Sequence, residues 1–216
     1  MTKTIRHHVP DQVLSAYAAG ELAEAFNLIV ATHVSMCDDC RAQLAAIEAL
    51  GGAVIEGGEA VEMSDSALEA ALSRIEMLPQ ATMRVRPVSR GLLPVPLADY
   101  ISGDLSSIRW TALGAGVRQA ILPTDRKATA RLLYIPAGAQ MPDHGHRGME
   151  MTLVLQGAFA DESDRFGPGD IEVADEEMEH TPVAEMGADC ICLAVTDAPL
   201  RFRGMLPRLA QPLFRI

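Results

Sequence analysis

The spacing of apolar residues changes once along the chain, and this change constrains the fold more than any other feature. As far as about residue 78, apolar side chains recur at intervals of three and four, which is the repeat of one helix face. After about Leu97 they stand in short runs separated by Gly and Pro, which is typical of antiparallel strands. The sequence therefore predicts an all-α part followed by an all-β part.

The helical repeat predicts four helices, at residues 10–22, 21–36, 39–53 and 64–78. Gly51 and Gly52 are expected to end the third helix, and Ser64 to cap the start of the fourth. The third helix has Leu44, Ile47 and Leu50 as its predicted inward face. The fourth has an apolar stripe of Leu68, Leu72 and Ile75.

Five apolar runs predict strands, at residues 116–122, 130–135, 151–155, 170–173 and 190–195. Between the two patterns, residues 79–96 are rich in Pro and lack a helical repeat, which is typical of a linker. We therefore predict a helical domain at residues 1–80, a linker at 81–96, and an antiparallel β-sandwich or barrel at 97–216.

The formal net charge is −11, and both halves of the chain are acidic. Nucleic-acid binding needs a cationic face, so direct DNA contact is not expected. A basic protein partner fits this charge, although acidity also serves solubility alone. No run approaches the roughly 20 apolar residues of a membrane span, so we expect a cytoplasmic protein without membrane contact.

A first candidate metal site stands in the helical part as His33-x3-Cys37-x2-Cys40. Two thiolates three residues apart can bind one metal, and a His one helical turn earlier points to the same place. The fourth ligand would be His8 or His7; the sequence does not decide, and we favour His8. A thioredoxin-like redox pair would need a βαβ pattern, which is absent, so zinc is the preferred interpretation.

The segment His33-Val-Ser-Met-Cys37-Asp-Asp-Cys40 in a short helical domain with an upstream His resembles the zinc-binding anti-sigma family. The resemblance covers roughly residues 5–80. It implies a domain that binds an extracytoplasmic-function sigma factor and covers the surfaces that the sigma factor needs for polymerase or promoter binding.

A second candidate metal site stands in the β part as Gly138-x5-His144-x-His146-x3-Glu150-x6-Gly157, which resembles the first cupin motif. Two His residues two apart on a strand face the same way, and two imidazoles with a carboxylate can bind zinc, manganese, iron or nickel. Counting from Gly169, the second cupin motif keeps its ligand as His180. The predicted set is therefore His144, His146, Glu150 and His180.

Three positions of that second motif depart from the cupin pattern, at Asp175, Glu177 and Ala184. The turn before His180 is therefore expected to differ in shape. On the last predicted strand, Cys190 and Cys192 share one face. Core packing is the preferred interpretation of these thiols, with an oxidisable pair as the alternative.

Together the two motifs resemble the ChrR group of anti-sigma factors, which join a zinc anti-sigma domain to a cupin-like domain. This resemblance implies release of the sigma factor in response to reactive oxygen species, singlet oxygen in particular. The alternative is a metal-dependent cupin enzyme, such as a dioxygenase or isomerase, with open metal positions for substrate. No acid or base stands out for such an enzyme, although Tyr134 and Glu172 are candidates to face inward.

Overall fold

The computed structural model describes residues 4–78, 93–101 and 105–202. Within these ranges the helices are α1 (Asp11–Ala18), α2 (Glu24–Met36), α3 (Asp38–Glu56), α4 (Ala67–Glu76) and α5 (Val95–Ile101). A short 3-10 turn follows at Leu105–Ser107. None of the helices in the described ranges is long and apolar enough to span a bilayer.

Helices α1 to α4 confirm the four predicted helices, but several of their ends differ, and α2 starts at Glu24 rather than at residue 21. Helix α1 stops at Ala18, because Gly20 takes a φ of 72°, which breaks the helix. Helix α3 runs through Gly51 and Gly52 to Glu56, so the prediction that these glycines end it was wrong. Helix α4 starts at Ala67 rather than at the predicted Ser64.

The predicted inward faces of the last two helices are only partly buried. In α3, Leu44 is buried while Leu50 is exposed. In α4, none of the residues is buried, and the stripe of Leu68, Leu72 and Ile75 faces outward in the described structure. Within the described residues, the stripe on α4 is therefore exposed, and so is Leu50 of the α3 stripe, while Leu44 is buried and Ile47 packs against the core.

The second part is an antiparallel β structure, as predicted. Its longer strands are β1 (Thr111–Gly114), β2 (Val117–Ile121), β3 (Thr129–Ile135), β5 (Glu150–Gln156), β8 (Ile171–Ala174) and β11 (Cys190–Thr196). Its two-residue strands are β4 (His144–Gly145), β6 (Phe159–Ala160), β7 (Arg165–Phe166), β9 (Glu179–His180), β10 (Val183–Ala184) and β12 (Arg201–Phe202). The five predicted strands correspond to β2, β3, β5, β8 and β11.

The longer strands form one six-stranded sheet in the order β1-β2-β3-β11-β5-β8. Three-stranded sheets β10-β6-β7 and β12-β4-β9 complete the β part. Strand β11 is buried along its whole length, because β3 and β5 pair with its two edges. The sequence of such a strand is a continuous apolar run, and the predicted strand at 190–195 therefore agrees closely with β11.

The helical and β parts share one apolar core. Helix α2 packs against β11, β5 and β3, and Phe26 and Ile29 belong to the same buried cluster as Leu153 and Leu193. Each such side chain contributes roughly 1.5–3 kcal/mol when fully buried. The two parts are therefore joined by packing as well as by the chain.

Helix α5 occupies the end of the predicted linker. Its residues Leu97 and Ala98 are buried, and the helix packs against α2. Tyr100 donates a 2.8 Å hydrogen bond to Glu24 of α2. The predicted linker 81–96 lies mostly outside the described residues, so the limits 1–80 and 97–216 stay a prediction.

Candidate metal centres

Four side chains converge in the helical part. His33 ends the buried face of α2, Cys37 stands at the N-cap of α3, and Cys40 lies in its first turn. His33 Nε2 is 3.2 Å from Cys40 Sγ, and His8 Nδ1 is 3.3 Å from Cys37 Sγ. One ligand atom from each of the four lies within 4.8 Å of the others. We call these four residues the helical cluster.

The structure brings His8, and not His7, into this cluster. The His7 ring lies against Phe166 at a centroid distance of 4.4 Å, and its Nε2 is 3.5 Å from the Asp164 carboxylate. The two adjacent histidines therefore have different partners, His7 on the β part and His8 at Cys37. The sequence alone could not assign the register of this segment against α2.

The electrostatics of the helical cluster suit a metal. Burial lowers the pKa of His33 to about 4, which keeps the imidazole neutral and able to ligate. Burial raises the pKa of the Cys40 thiol to about 11, and a bound cation would reverse this by stabilising the thiolate. Two sulfurs and two imidazoles form the donor set of a closed tetrahedral site. The cluster can therefore hold a metal ion.

Three imidazoles converge in the β part. Strand β4 pairs with β9 so that His144 stands opposite His180. The His180 Nε2 atom is 3.2 Å from His144 Nε2 and 3.3 Å from His146 Nε2. All three rings are buried. We call these three residues the cupin cluster; its geometry can also hold a metal ion.

In two histidines of the cupin cluster, the Nδ1 atom lies close to a neighbouring oxygen. His144 Nδ1 lies 2.8 Å from the Pro142 carbonyl. His180 Nδ1 lies 2.8 Å from Asp161 and 3.2 Å from Glu172. Such contacts orient the rings so that their Nε2 atoms face a shared metal position.

The same contacts set the proton balance of the metal-free cluster. Burial raises the pKa of Glu172 to about 7. Burial disfavours a charged His180, but the hydrogen bond and negative charge of Glu172 outweigh this and raise the pKa of His180 to about 9. Metal binding at this ring therefore requires loss of a proton.

Glu150 stands beside the cupin cluster rather than among its Nε2 atoms. Its Oε2 is 3.5 Å from His146 Nδ1, and its Oε1 accepts a 3.2 Å hydrogen bond from Thr152. The carboxylates of Asp161 and Glu172 contact one of the three imidazoles, His180, through its Nδ1 atom. Glu150 as a ligand therefore stays a prediction. The sequence search missed Asp161, because it stands in an irregular turn outside the cupin motif.

The turn before His180 is closed by a side chain, and its difference in shape from the cupin turn stays a prediction. Asp175 accepts a 3.0 Å hydrogen bond from the Glu177 backbone N–H, which closes an Asx-type turn. Ala184 is buried on β10. Tyr134, the other candidate to face inward, instead donates its hydroxyl to the Asp189 carboxylate.

A cavity of about 430 Å³ lies next to the cupin cluster. His144, Glu150 and His180 line one part of it, and Leu133, Phe159 and Cys192 belong to its apolar wall. This is the size range of small-molecule pockets. A metal in the cluster would thus have room beside it for a further ligand.

Cys190 and Cys192 face each other on β11 with their sulfurs 3.4 Å apart. Both are free and buried. The hydrogen bond from Cys190, together with burial, raises the pKa of Cys192 well above its ordinary value. A protonated thiol is a poor nucleophile, so the structure favours core packing over a reactive pair.

Known proteins are similar to this chain in sequence and structure. A family model described as the ChrR cupin-like domain matches residues 99–199. The anti-sigma-E factor ChrR of Cereibacter sphaeroides is 59% identical over 215 residues, which cover 99% of this chain and 100% of that protein. In the crystal structure of Rhodobacter sphaeroides SigE in complex with the anti-sigma ChrR, one chain matches with a TM-score of 0.80 and 56% identity, covering 90% of this chain and 100% of that one. The chain therefore belongs to the family of the anti-sigma factor ChrR.

Proposed function

We propose that this protein is an anti-sigma factor that sequesters an extracytoplasmic-function sigma factor through its helical part. The observation that carries the proposal is the outward-facing apolar stripe of α4, whose Leu68, Leu72 and Ile75 are 67%, 51% and 63% exposed. We call these three residues the α4 stripe. Contiguous exposed apolar side chains mark interaction sites.

Helix α4 is too short to be stable without a partner. Isolated helices shorter than roughly 12–15 residues are marginal in water, and α4 spans 10 residues with none buried in the described structure. A sigma factor that covers the α4 stripe would supply the missing packing. The net charge of −11 favours a basic partner surface, since opposite potentials speed encounter and fix register.

The relatives favour this reading over a metal-dependent cupin enzyme. The relative with 59% identity is an anti-sigma factor, and the matching crystal structure contains SigE in complex with the anti-sigma ChrR. A metal cluster and a cavity alone are compatible with either class. We place the complex in the cytoplasm, because four buried cysteines without a disulfide suit a reducing compartment.

The metal of the helical cluster is, in this proposal, zinc. Two thiolates and two imidazoles are a donor set of structural zinc sites, and here three of the four residues are buried while His8 is exposed. There zinc would tie the segment that carries His8 to the junction of α2 and α3. The cupin cluster, with three imidazoles and Glu150 nearby, suits zinc, manganese or iron.

The cupin part is, in this proposal, the receiver of an oxidative signal, singlet oxygen in particular. Two features support it: three buried imidazoles, which react with oxidants, and a cavity that gives small molecules access to them. Loss of one ligand would alter metal coordination, and the core shared with α2 gives that change a route to the helical part.

Co-purification tests the proposal. The tagged chain is expressed with each extracytoplasmic-function sigma factor of its own genome, and the eluate is added to core polymerase and a cognate promoter. We expect one sigma factor to co-elute and to remain inactive while bound. Failure of every sigma factor to co-elute, or full transcription from the bound one, would contradict the proposal.

A further inference from the structure

The N-terminal segment that carries His8 is held by the β part. Asp170, itself buried, accepts backbone hydrogen bonds from Arg6 at 2.6 Å and His7 at 3.0 Å through one carboxylate oxygen. Its other oxygen accepts from Gly167 at 2.8 Å. Ile171 at the start of β8 donates to the His7 carbonyl at 3.3 Å. The segment is thus bound through its backbone, independently of its side-chain types.

Side chains fix the same segment further. Ile5 packs on Gly169, where a Cβ would come within 2.6 Å of the Ile5 Cδ1 atom. Gly169 also has a φ of 94°, which side chains other than Gly rarely adopt. With the His7 ring against Phe166, the next residue, His8, is directed toward Cys37. The position of a helical-cluster ligand is therefore set by the β part.

The same short stretch reaches the cupin cluster. Glu172 stands two residues after Asp170, and its carboxylate is 3.2 Å from His180 Nδ1. Both carboxylates are buried. Residues 169–172, at the end of one turn and the start of β8, therefore include a supporting residue for each of the two clusters.

We propose that residues 169–172 couple the two clusters, with Asp170 as a positioning residue for His8 and Glu172 as one for His180. Filling the cupin cluster fixes His180 and Glu172, which holds β8 and Asp170 in the arrangement that presents His8. Metal affinity at the helical cluster then depends on occupancy of the cupin cluster, and the reverse holds with the same factor. The inference rests on the proposed metal loading of both clusters and does not depend on sigma binding.

Cobalt titration of the full-length chain tests the coupling. A thiolate-to-cobalt charge-transfer band reports the helical cluster, since its Cys37 and Cys40 are the candidate thiolate ligands. Asp170→Asn is expected to weaken cobalt there about tenfold, within the roughly 10–100-fold cost of losing a supporting contact. Asp189→Asn is the matched control, because the Asp189 carboxylate accepts its hydrogen bonds from Ala137 and Tyr134, both within the β part.

The coupling itself is read from a double-mutant cycle. His180→Ala is expected to weaken cobalt at the helical cluster about fivefold or more, the lower end of ordinary coupling. The same change in the Asp170→Asn background should add nothing further. Glu172→Gln, which keeps the side-chain shape, is the second variant if His180→Ala unfolds by circular dichroism.

The outcomes separate the two ideas. An unchanged charge-transfer titration in His180→Ala and Glu172→Gln would overturn the coupling while leaving metal binding intact. Absence of the band in the unmodified chain would overturn metal loading of the helical cluster, and the coupling with it. Weakening of equal size in Asp189→Asn would show a general loss of stability and would also overturn the inference.

Discussion

At the scale of single residues, spacing motifs located most of the ligands. His33, Cys37 and Cys40 are neighbours along one helix junction, so their meeting follows from local geometry. His180 was located by its spacing from Gly169, whereas His8 joins its cluster through contacts between distant segments. Asp161 and Asp170 support the clusters from turns, and Glu172 does so from β8. Asp161 and Asp170 carry no spacing signal, because their roles depend on how the β part packs.

Loss of a thiol from the helical cluster should lower bound zinc. Cys37→Ala or Cys40→Ala removes one of four donors, and structural zinc contributes apparent binding energies of roughly 10–16 kcal/mol in small peptides. We expect elemental analysis to show one equivalent less zinc than in the parent chain. Cys190→Ala is the control, since its thiol belongs to neither cluster. Full zinc retention in the Cys37 and Cys40 variants would refute this role.

The two N-terminal histidines should behave differently. His8→Ala removes a predicted ligand, whereas His7→Ala removes a ring that packs on Phe166. We expect His8→Ala to weaken zinc in a chelator competition by about 100-fold or more, beyond the roughly 10–100-fold cost of losing a supporting contact. An equal or larger loss of zinc affinity in His7→Ala would contradict the assignment of His8 to the helical cluster.

At the scale of elements, periodicity located helices and strands but not their surroundings. The repeat in α4 is the same whether its stripe faces a core or solvent, so the sequence could not show that it is exposed. Helix α5 was missed because Pro94 and Pro96 suggested a linker, although Pro is well tolerated in the first turn of a helix. The buried strand β11 was found because its apolar run is continuous.

Helix α4 should be dynamic alone and ordered in the complex. With none of its residues buried, its amides should exchange with solvent at rates close to those of an unfolded segment. Hydrogen exchange measured with and without the sigma factor should show strong protection of α4 upon binding. Helix α2, whose face is buried in the core, should stay protected in both states. Protection of α4 that does not change with sigma would contradict its role in binding.

At the scale of the whole molecule, the sequence predicted two parts but not their union. The core shared by α2, β5 and β11 unites side chains from segments far apart in the chain, which no local pattern reveals. This union gives the β part a physical means to act on the helical part. The cupin cluster is placed to use it, because Glu172 of β8 contacts His180.

Removing a cupin ligand should therefore affect release more than capture. His144→Ala is expected to leave sigma affinity within about twofold while weakening induction by photosensitised oxygen. A nearly complete shift from bound to released sigma factor needs about 5.5 kcal/mol of differential binding, and in this account the intact cupin cluster supplies it. A sigma-dependent reporter in cells measures this, with Cys190→Ser as the control. Normal induction in the His144 variant would remove the cupin cluster from the response.

The central claim is capture of a sigma factor by the α4 stripe, and a binding titration tests it most directly. Leu72→Glu with Ile75→Glu places two charges on the stripe, whereas Ala70→Glu with Ser73→Glu places two on the opposite face of the same helix. Buried apolar anchors commonly contribute about 2 kcal/mol or more each. We predict that the stripe variant loses at least about 100-fold in sigma affinity while the opposite-face variant stays near the parent; equal affinity of the two variants would contradict the account.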